Sequence, residues 1–253
     1  MKLRARTLEF LYRYDLVLSI KDQLRPIKHA LFGVSDIYFV IKQVREARGS
    51  QSPVSMVLDV GAADGDKTLA FLEAFPEAKV LCFEPQRSKH ERFYRRVQQW
   101  NGQVELCDVG LYNTSGEMPL SIYSYADASS ILPITPYLEN QGKAVTSVAP
   151  IRVHRLDDVL REHGITHIDF MKVDVEGVEW EVLDGARESL AMIDNLYVEI
   201  SPLRKGLRSR DHILLFTLLY EAGFTFMGVY GDFWFTKDRC VLDAWQLSSS
   251  RSR

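Results

Sequence analysis

The stretch VLDVGAADGDKT, residues 57–68, combines an apolar run, an acid, three small residues and an Asp-Gly-Asp turn. An apolar run that leads through glycine into a helical pattern predicts a strand, a tight turn and a helix. The dinucleotide fingerprint requires glycine at three fixed positions of such a turn, and this turn offers only Gly61 and Gly65. No Gly-Lys-Ser/Thr follows, which excludes a P-loop. The ligand of this turn therefore has to be inferred from the strands that follow.

The composition is that of a globular protein with one large domain, or one domain and an appendage. The chain has 253 residues, of which 46% are hydrophobic and 26% are charged. A net charge of -3 shows no overall excess of positive charge of the kind that nucleic-acid binding favours. The three cysteines form no CxxC pair, and Cys82 and Cys107 lie in apolar runs typical of a core. No signal peptide or 18-residue apolar segment is recognisable, so we expect a cytoplasmic protein.

Charge and periodicity set the first fifty residues apart. Residues 1–50 hold ten Lys and Arg against five Asp and Glu, a charge of +5, whereas the remainder carries -8. Apolar residues at helical spacing predict amphipathic helices at 3–20 and 34–47, and 49–53 reads as a linker. We therefore expect an N-terminal helical extension that acts as a lid or a homodimer contact. Peripheral contact with an anionic membrane is the second alternative.

Beyond residue 54 the pattern alternates between strands and helices, which indicates a doubly wound, mostly parallel sheet. Strands are predicted at 56–60, 79–83, 103–107, 168–173, 195–200, 224–229 and 241–247, and helices at 66–75, 88–100, 155–163, 178–190 and 210–222. Residues 117–153 read as an insertion with small antiparallel strands. Only a loop precedes the last strand, at 241–247, so that strand should be antiparallel.

The first turn suits a ligand that carries both a carboxylate and an ammonium group. Open α/β sheets bind ligands at the carboxyl ends of their strands. Gly61, Ala62 and Gly65 would let a ligand approach the backbone, and the following helix N-terminus suits an anion. Two further acids inside the turn argue against a phosphate. Asp59 could pair with the ammonium group, directly or through water.

The second and third strands each end in an acid. Glu84, before Pro85, falls 23 residues after Gly61, where an acid can accept hydrogen bonds from both hydroxyls of a ribose. Asp108 could meet the exocyclic amine of adenine, and Val109 could line the ring face. Solvated turn acids are the alternative interpretation of Glu84 and Asp108. Amino-acid carboxylate and amine, ribose and adenine together describe S-adenosylmethionine.

With this ligand in view, the sequence resembles class I S-adenosylmethionine-dependent methyltransferases, and within them the FkbM family. The resemblance rests on VLDVGAADGDKT, CFEPQ, DASSIL at 127–132 and HIDFMKVDVEGVEWEVLDGA at 167–186. It covers residues 54–247, and the closing VLDAWQL matches the family's final strand. The resemblance implies a Rossmann-like seven-stranded sheet with an antiparallel last strand. It also implies O-methylation of hydroxyl groups on sugars, glycolipids or natural products.

The strand that ends in MKVDV carries the candidate base. Lys172 and Asp174 share one face of that strand, and Asp174 sits at its carboxyl end, beside the expected methyl group. Lys172 is expected to form a structural ion pair, because a buried lysine needs a partner. His154 is the second candidate base. Asp174 and Glu199 at adjacent strand ends could bind a divalent metal, which is not the favoured interpretation.

The remaining polar candidates lie in DASSIL, where Asp127, Ser129 and Ser130 could reach the cofactor or the acceptor. A flexible serine-rich loop is the alternative for this segment. Two other functions stay open: an NAD-dependent sugar-modifying enzyme and a non-catalytic cofactor-fold binding or scaffold protein. The expected partner is a hydroxyl-bearing acceptor, in the first place a carbohydrate.

Overall fold

Two β-sheets organise the molecule, for which a computed structural model describes residues 37–124, 129–140, 142–200 and 209–250. The central sheet contains β1 (Met56–Val60), β2 (Lys79–Phe83), β3 (Val104–Cys107), β7 (Ile168–Val173), β8 (Ile193–Val198), β9 (Thr225–Tyr230) and β10 (Asp232–Thr236). A smaller sheet contains β4 (Gly110–Leu111), β5 (Gly116–Tyr123) and β6 (Val145–His154). The helix expected at 3–20 and Asp127 of DASSIL lie outside the described residues.

The seven strands are ordered β3-β2-β1-β7-β8-β10-β9. Strands β3, β2, β1, β7 and β8 pair in parallel, whereas β10 runs antiparallel to both of its neighbours. This order confirms the doubly wound sheet with an antiparallel last strand. The strand order reverses between β1 and β7, because β2 and β3 lie on one side of β1 and the later strands lie on the other. A ligand cleft is expected at the carboxyl ends of β1 and β7.

The position of the last strand differs from the expectation. Residues 241–247 do not form a strand; they belong to a helix, α8 (Arg239–Ser250). The antiparallel strand is β10, in the stretch DFWFT that follows the tight turn at Gly231, where φ is +76°. Phe233, Trp234 and Phe235 are buried on both faces of the sheet, so this strand shows no alternation that would separate it from a turn-rich loop. Asp238 accepts the N–H of Cys240 and starts the helix.

Helices cover both faces of the central sheet. The helices are α1 (Ile37–Arg48), α2 (Asp66–Ala74), α3 (His90–Val97), α4 (Pro136–Asn140), α5 (Leu156–Glu162), α6 (Glu179–Asp184) and α7 (Ser209–Glu221), with α8 at the end. Apolar residues of α1, α2, α3 and α8 form the core on one face, and those of α5, α6 and α7 form the core on the other. Among the helices of the described ranges, none has the length and apolar character needed to cross a bilayer.

Helix α1, inside the expected N-terminal extension, is packed into the domain. Ile37, Val40, Ile41 and Val44 recur at helical spacing and are buried in the core beside α2. Its last residue, Arg48, is buried among three carboxylates at the edge of the sheet where β7 and β8 begin. Arg48 therefore joins the basic N-terminal segment to acidic residues of the sheet domain.

Those three partners of Arg48 come from separate elements. Its guanidinium bonds to Asp169, and to Asp194 and Asp238 at 2.5 Å each. Burial alone would lower the pKa of Arg48, but hydrogen bonds to Asp238 and Asp169 outweigh burial and raise it. The cluster fixes the end of α1 to β7, to the start of β8 and to the start of α8.

Candidate functional site

Four polar or small residues meet at one edge of the sheet because each directly follows a parallel strand. Gly61 follows β1, Glu84 follows β2, Asp174 follows β7 and Glu199 follows β8. A cleft opens between the first three of them. It is lined by Val60, Gly61, Ala63, Phe83, Glu84, Pro85, Lys89, Gly110, Leu111, Leu120, Ser129, Ile131, Ile151, Asp174, Val175, Glu176 and Val178.

Gly61 lines the cleft directly after β1, where the backbone of β1 still pairs with that of β7. Its φ is +78°, and a Cβ built at this position would lie 1.9 Å from the backbone oxygen of Asp174. The backbone segments at Gly61 and Asp174 therefore lie too close together for any residue with a side chain at position 61. Packing against the Asp174 backbone thus requires glycine at this position, and since Gly61 also lines the cleft, its contact with a ligand stays a prediction.

Glu84 is buried and its carboxylate is fixed by the backbone. One oxygen accepts the N–H of Ala63 at 2.9 Å and the other accepts the N–H of Gln86 at 2.8 Å. A carboxylate has about four lone-pair positions, so these two bonds leave acceptor positions for further donors. The geometry fits the predicted contact with the two hydroxyls of a ribose, and Pro85 lines the cleft beside it.

Asp59 does not reach the cleft, contrary to the predicted contact with an ammonium group. Its side chain is completely buried and accepts hydrogen bonds from Thr68 Oγ1 at 2.7 Å and Lys172 Nζ at 3.1 Å. Lys172 also donates to the backbone oxygen of Gly61 at 2.8 Å. Burial alone would lower the pKa of Lys172, but the charges of Asp59 and Asp174 outweigh it and raise that pKa. The expected ion pair of Lys172 thus supports the glycine turn from below.

Two other turn residues have structural surroundings. Ala62 is buried in the core shared with α2, and it is absent from the residues that line the cleft. Gly65 begins α2 with φ at +82°, and a Cβ there would lie 2.9 Å from the ring of Phe93. Both positions need small residues for packing, so their predicted contact with the cofactor is not what the geometry shows.

The third strand end also differs from the expectation. The Asp108 carboxylate pairs with Arg87 Nε at 2.6 Å, and Val109 packs against the sheet core. Neither residue lines the cleft. Gly110 and Leu111 line it in their place, because the chain enters the small sheet there. The sequence placed the end of this strand correctly, but the residues that line the cleft lie two positions later than predicted, at Gly110 and Leu111.

Asp174 lies in an acidic cluster at the end of the cleft. Carboxylate oxygens of Asp174, Glu176 and Glu199 all lie within 4.8 Å of one another, and Lys172 Nζ is 3.7 Å from Asp174. Hard divalent cations prefer such oxygen ligands, so these three residues, of which Asp174 and Glu176 line the cleft, could hold a metal. Glu176 lines the cleft beside Asp174. It has φ at +60°, and such uncommon backbone conformations concentrate at functional sites.

His154 is not brought to the cleft. It ends β6, where its backbone pairs with Leu111 and accepts the N–H of Tyr112 at 3.0 Å. Its side chain is absent from the residues that line the cleft. The prediction of His154 as a base is therefore not supported by its position, since a base must reach the proton that it removes.

The inserted sheet covers the cleft. Its strands are ordered β4-β6-β5, and apolar Leu120, Ile131 and Ile151 face the site. Two serines of DASSIL connect this sheet to the loops after β2 and β7. Ser129 Oγ donates to the Gln86 side chain at 2.8 Å, and Ser130 Oγ donates to the backbone oxygen of Glu176 at 2.7 Å. Both hydroxyls therefore have protein partners.

A doubly wound sheet of this order, with glycine after the first strand and a backbone-held acid after the second, defines a Rossmann-like protein with a nucleotide-type cleft. The chain belongs to the methyltransferase FkbM domain family, whose model matches residues 59–226. This membership confirms the resemblance carried by the sequence motifs, and the protein is a methyltransferase.

The individual proteins to which the chain is similar share a quarter to a third of their aligned residues with it. The chain is 26% identical to 2-O-methyltransferase NoeI of Sinorhizobium fredii over 74% of this chain and 79% of NoeI. It is 25% identical to hexuronic acid methyltransferase AglP of Haloferax volcanii over 63% of this chain and 66% of AglP. AMB antimetabolite synthetase AmbE of Pseudomonas aeruginosa is 30% identical over 68% of this chain, but the match spans only 10% of AmbE.

Proposed function

We propose that the protein transfers a methyl group from S-adenosylmethionine to a hydroxyl oxygen, with a carbohydrate as the acceptor. The observation that carries the proposal is the meeting of Gly61, Glu84 and Asp174 at one cleft. Gly61 can border the cofactor, the Glu84 carboxylate can accept hydrogen bonds from a ribose, and the Asp174 carboxylate can act as a base toward the acceptor hydroxyl. When bound, S-adenosylmethionine supplies an electrophilic methyl group with a neutral thioether as its leaving group.

The residues of the chain then have separate tasks. Glu84 accepts hydrogen bonds from the ribose and fixes the nucleoside, while the turn at Gly61 leaves room for the amino-acid portion. The apolar side chains of the inserted sheet exclude water, which favours alignment of the acceptor oxygen with the methyl carbon. Asp174 takes the proton of the acceptor hydroxyl as the oxygen–carbon bond forms and the sulfur–carbon bond breaks.

Two relatives support a sugar as the acceptor. NoeI is named a 2-O-methyltransferase, which supports an oxygen as the methylated atom, and AglP is named a hexuronic acid methyltransferase, which supports the sugar. Lys89 lines the cleft and provides a cation that suits an acidic sugar. We therefore expect uronic acids and glycans that contain them to be better acceptors than neutral sugars.

The proposal is tested with S-adenosylmethionine labelled in its methyl group and a panel of neutral and acidic glycans. Asp174→Asn keeps the shape of the side chain but cannot take a proton, so we expect transfer to slow about a hundredfold or more while cofactor binding persists. Asp243→Asn changes an exposed carboxylate of α8 and serves as the matched control. Full activity in Asp174→Asn, or no transfer by the unmodified protein to any hydroxyl in the panel, would contradict the proposal.

A second experiment distinguishes the role of Asp174 as a base from a role as a metal ligand. If the acidic cluster of Asp174, Glu176 and Glu199 holds a divalent cation, EDTA should abolish transfer and magnesium should restore it. Activity that is indifferent to EDTA supports Asp174 as a base without a metal. Cofactor binding without transfer to any acceptor would instead favour a non-catalytic binding protein.

A further inference from the structure

Three potential metal ligands lie together on the outer edge of the sheet, away from the cleft. Glu105 and Cys107 alternate on the edge strand β3 and therefore share one of its faces. His163 follows the last turn of α5 and lies against that face. A carboxylate oxygen, the thiol sulfur and a ring nitrogen of these residues all lie within 4.8 Å of one another.

The orientation of the His163 ring is that of a metal ligand. Its Nδ1 lies 2.9 Å from the backbone oxygen of Val159. A carbonyl oxygen only accepts, so Nδ1 carries the hydrogen and Nε2 is left to face the other two groups. Metal-binding histidines commonly donate their second nitrogen to a backbone carbonyl in this way. The ring is thus held with Nε2 directed at Glu105 and Cys107.

The spacing of the ligand atoms also fits a metal. His163 Nε2 lies 3.1 Å from Glu105 Oε1. Two ligands of a tetrahedral ion with bonds of about 2.0 Å are about 3.3 Å apart, close to this separation. In the neutral ring a lone pair faces a carboxylate oxygen at this distance, and only a cation or an added proton makes that arrangement favourable. The pair therefore requires a positive charge between them.

We propose that Glu105, Cys107 and His163 bind a zinc ion. Sulfur and imidazole ligands select zinc or another late divalent transition metal, whereas magnesium and calcium prefer sites made of oxygen. Three protein ligands leave a fourth position for water. Formation of the sulfur–zinc bond releases the thiol proton to solvent, and this release has a cost because burial and the nearby Glu105 raise the pKa of Cys107 to about 11.

Such an ion would join the edge strand to the helix layer. It would connect β3 directly to the end of α5, and Cys107 is only three residues from Gly110 at the wall of the cleft. The ion would hold this edge together, and its open fourth position distinguishes it from structural zinc sites, which have four protein ligands. The inference is independent of the proposed reaction, since none of the three ligands lines the cleft.

The test uses the full chain, freed of metal by chelation and titrated with Zn²⁺ against a chromophoric chelator. We expect one equivalent of zinc to bind, and Cys107→Ser and His163→Gln each to weaken binding at least tenfold, since loss even of groups that orient ligands costs 10–100-fold. Cys240→Ser and His154→Gln remove a thiol and an imidazole that belong to no cluster of potential metal ligands in the described residues, and they should leave the affinity unchanged.

Two further measurements still test the proposal if Cys107→Ser or His163→Gln does not fold. Co²⁺ bound to the unmodified protein should show a thiolate-to-cobalt charge-transfer band. Glu105→Gln changes a side chain that is 63% exposed, so it should fold and still weaken the metal site. Absence of zinc binding, absence of the cobalt band, or unchanged affinity in Glu105→Gln and His163→Gln would overturn the proposal and leave an ordinary His163–Glu105 ion pair.

Discussion

Lys172→Met should destabilise the fold strongly, because it leaves a buried carboxylate without its counter-charge. Lys172 and Asp59 face each other on neighbouring strands and are both buried. The change removes the ammonium that lies 3.1 Å from Asp59 Oδ1 and the donor to Gly61 O at 2.8 Å. Methionine keeps an unbranched side chain of similar length, so the lost volume is small. Removal of one partner of a buried ion pair costs about 3–5 kcal/mol.

A second substitution separates the ion pair from packing. Asp59→Asn keeps an oxygen that can accept from Thr68 but removes the charge that Lys172 compensates. The double variant Asp59→Asn/Lys172→Met should therefore be more stable than Lys172→Met alone. The coupling of the two positions should reach about 2 kcal/mol, within the range for contacting residues.

The assay is urea unfolding at neutral pH followed by circular dichroism. Lys42→Met is the matched control, because its ion pair with Glu46 is exposed on α1 and should contribute less than about 1 kcal/mol. A free energy of unfolding for Lys172→Met within about 1 kcal/mol of the unmodified protein would refute the reasoning. A double variant no more stable than Lys172→Met would refute it equally.

Two other substitutions address the glycine turn and the buried ion cluster. Gly61→Ala should lower the free energy of unfolding by at least about 1–2 kcal/mol more than Gly142→Ala, since both have similar positive φ but only Gly61 has backbone within 1.9 Å of the new Cβ; thermal unfolding measures both, and equal losses would contradict the close approach. Burial would raise the pKa of Asp169, but N–H donors and Arg48 lower it to about 2, so its carboxylate stabilises the fold above about pH 4 and loses that effect as the pH falls to 2. Asp169→Asn should therefore cost about 2 kcal/mol at pH 7 and progressively less below pH 4, and a difference that does not depend on pH in acid unfolding curves would count against this assignment.

The sequence predicted the cleft residues that depend on chain order. A residue that directly follows a parallel strand has to lie at the carboxyl edge of the sheet, so Gly61, Glu84 and Asp174 could be placed from the strand pattern alone. The sequence could not show which side chains already have partners there. Asp59 lies beside Lys172, 113 positions further along the chain, and only the register of two strands brings them together.

Local patterns misled the interpretation at the C-terminus. Val241, Leu242 and Trp245 fit a strand as a short apolar run, yet the same residues form one face of α8. Short apolar runs do not separate a strand from a helix by periodicity. The Asp238 cap was the signal that could have decided for the helix, because its carboxylate accepts the N–H of Cys240.

The central claim is that the cleft binds S-adenosylmethionine through Glu84, and titration calorimetry tests it most directly. The unmodified protein should bind one equivalent, and Glu84→Ala should bind about 1–3 kcal/mol more weakly, the scale for lost hydrogen bonds to a charged group. That loss corresponds to about a fivefold to hundredfold change in Kd. Glu91→Ala, at an exposed carboxylate of α3, should leave the affinity unchanged. A folded Glu84→Ala protein with unaltered affinity, or an unmodified protein that does not bind S-adenosylmethionine, would contradict the account.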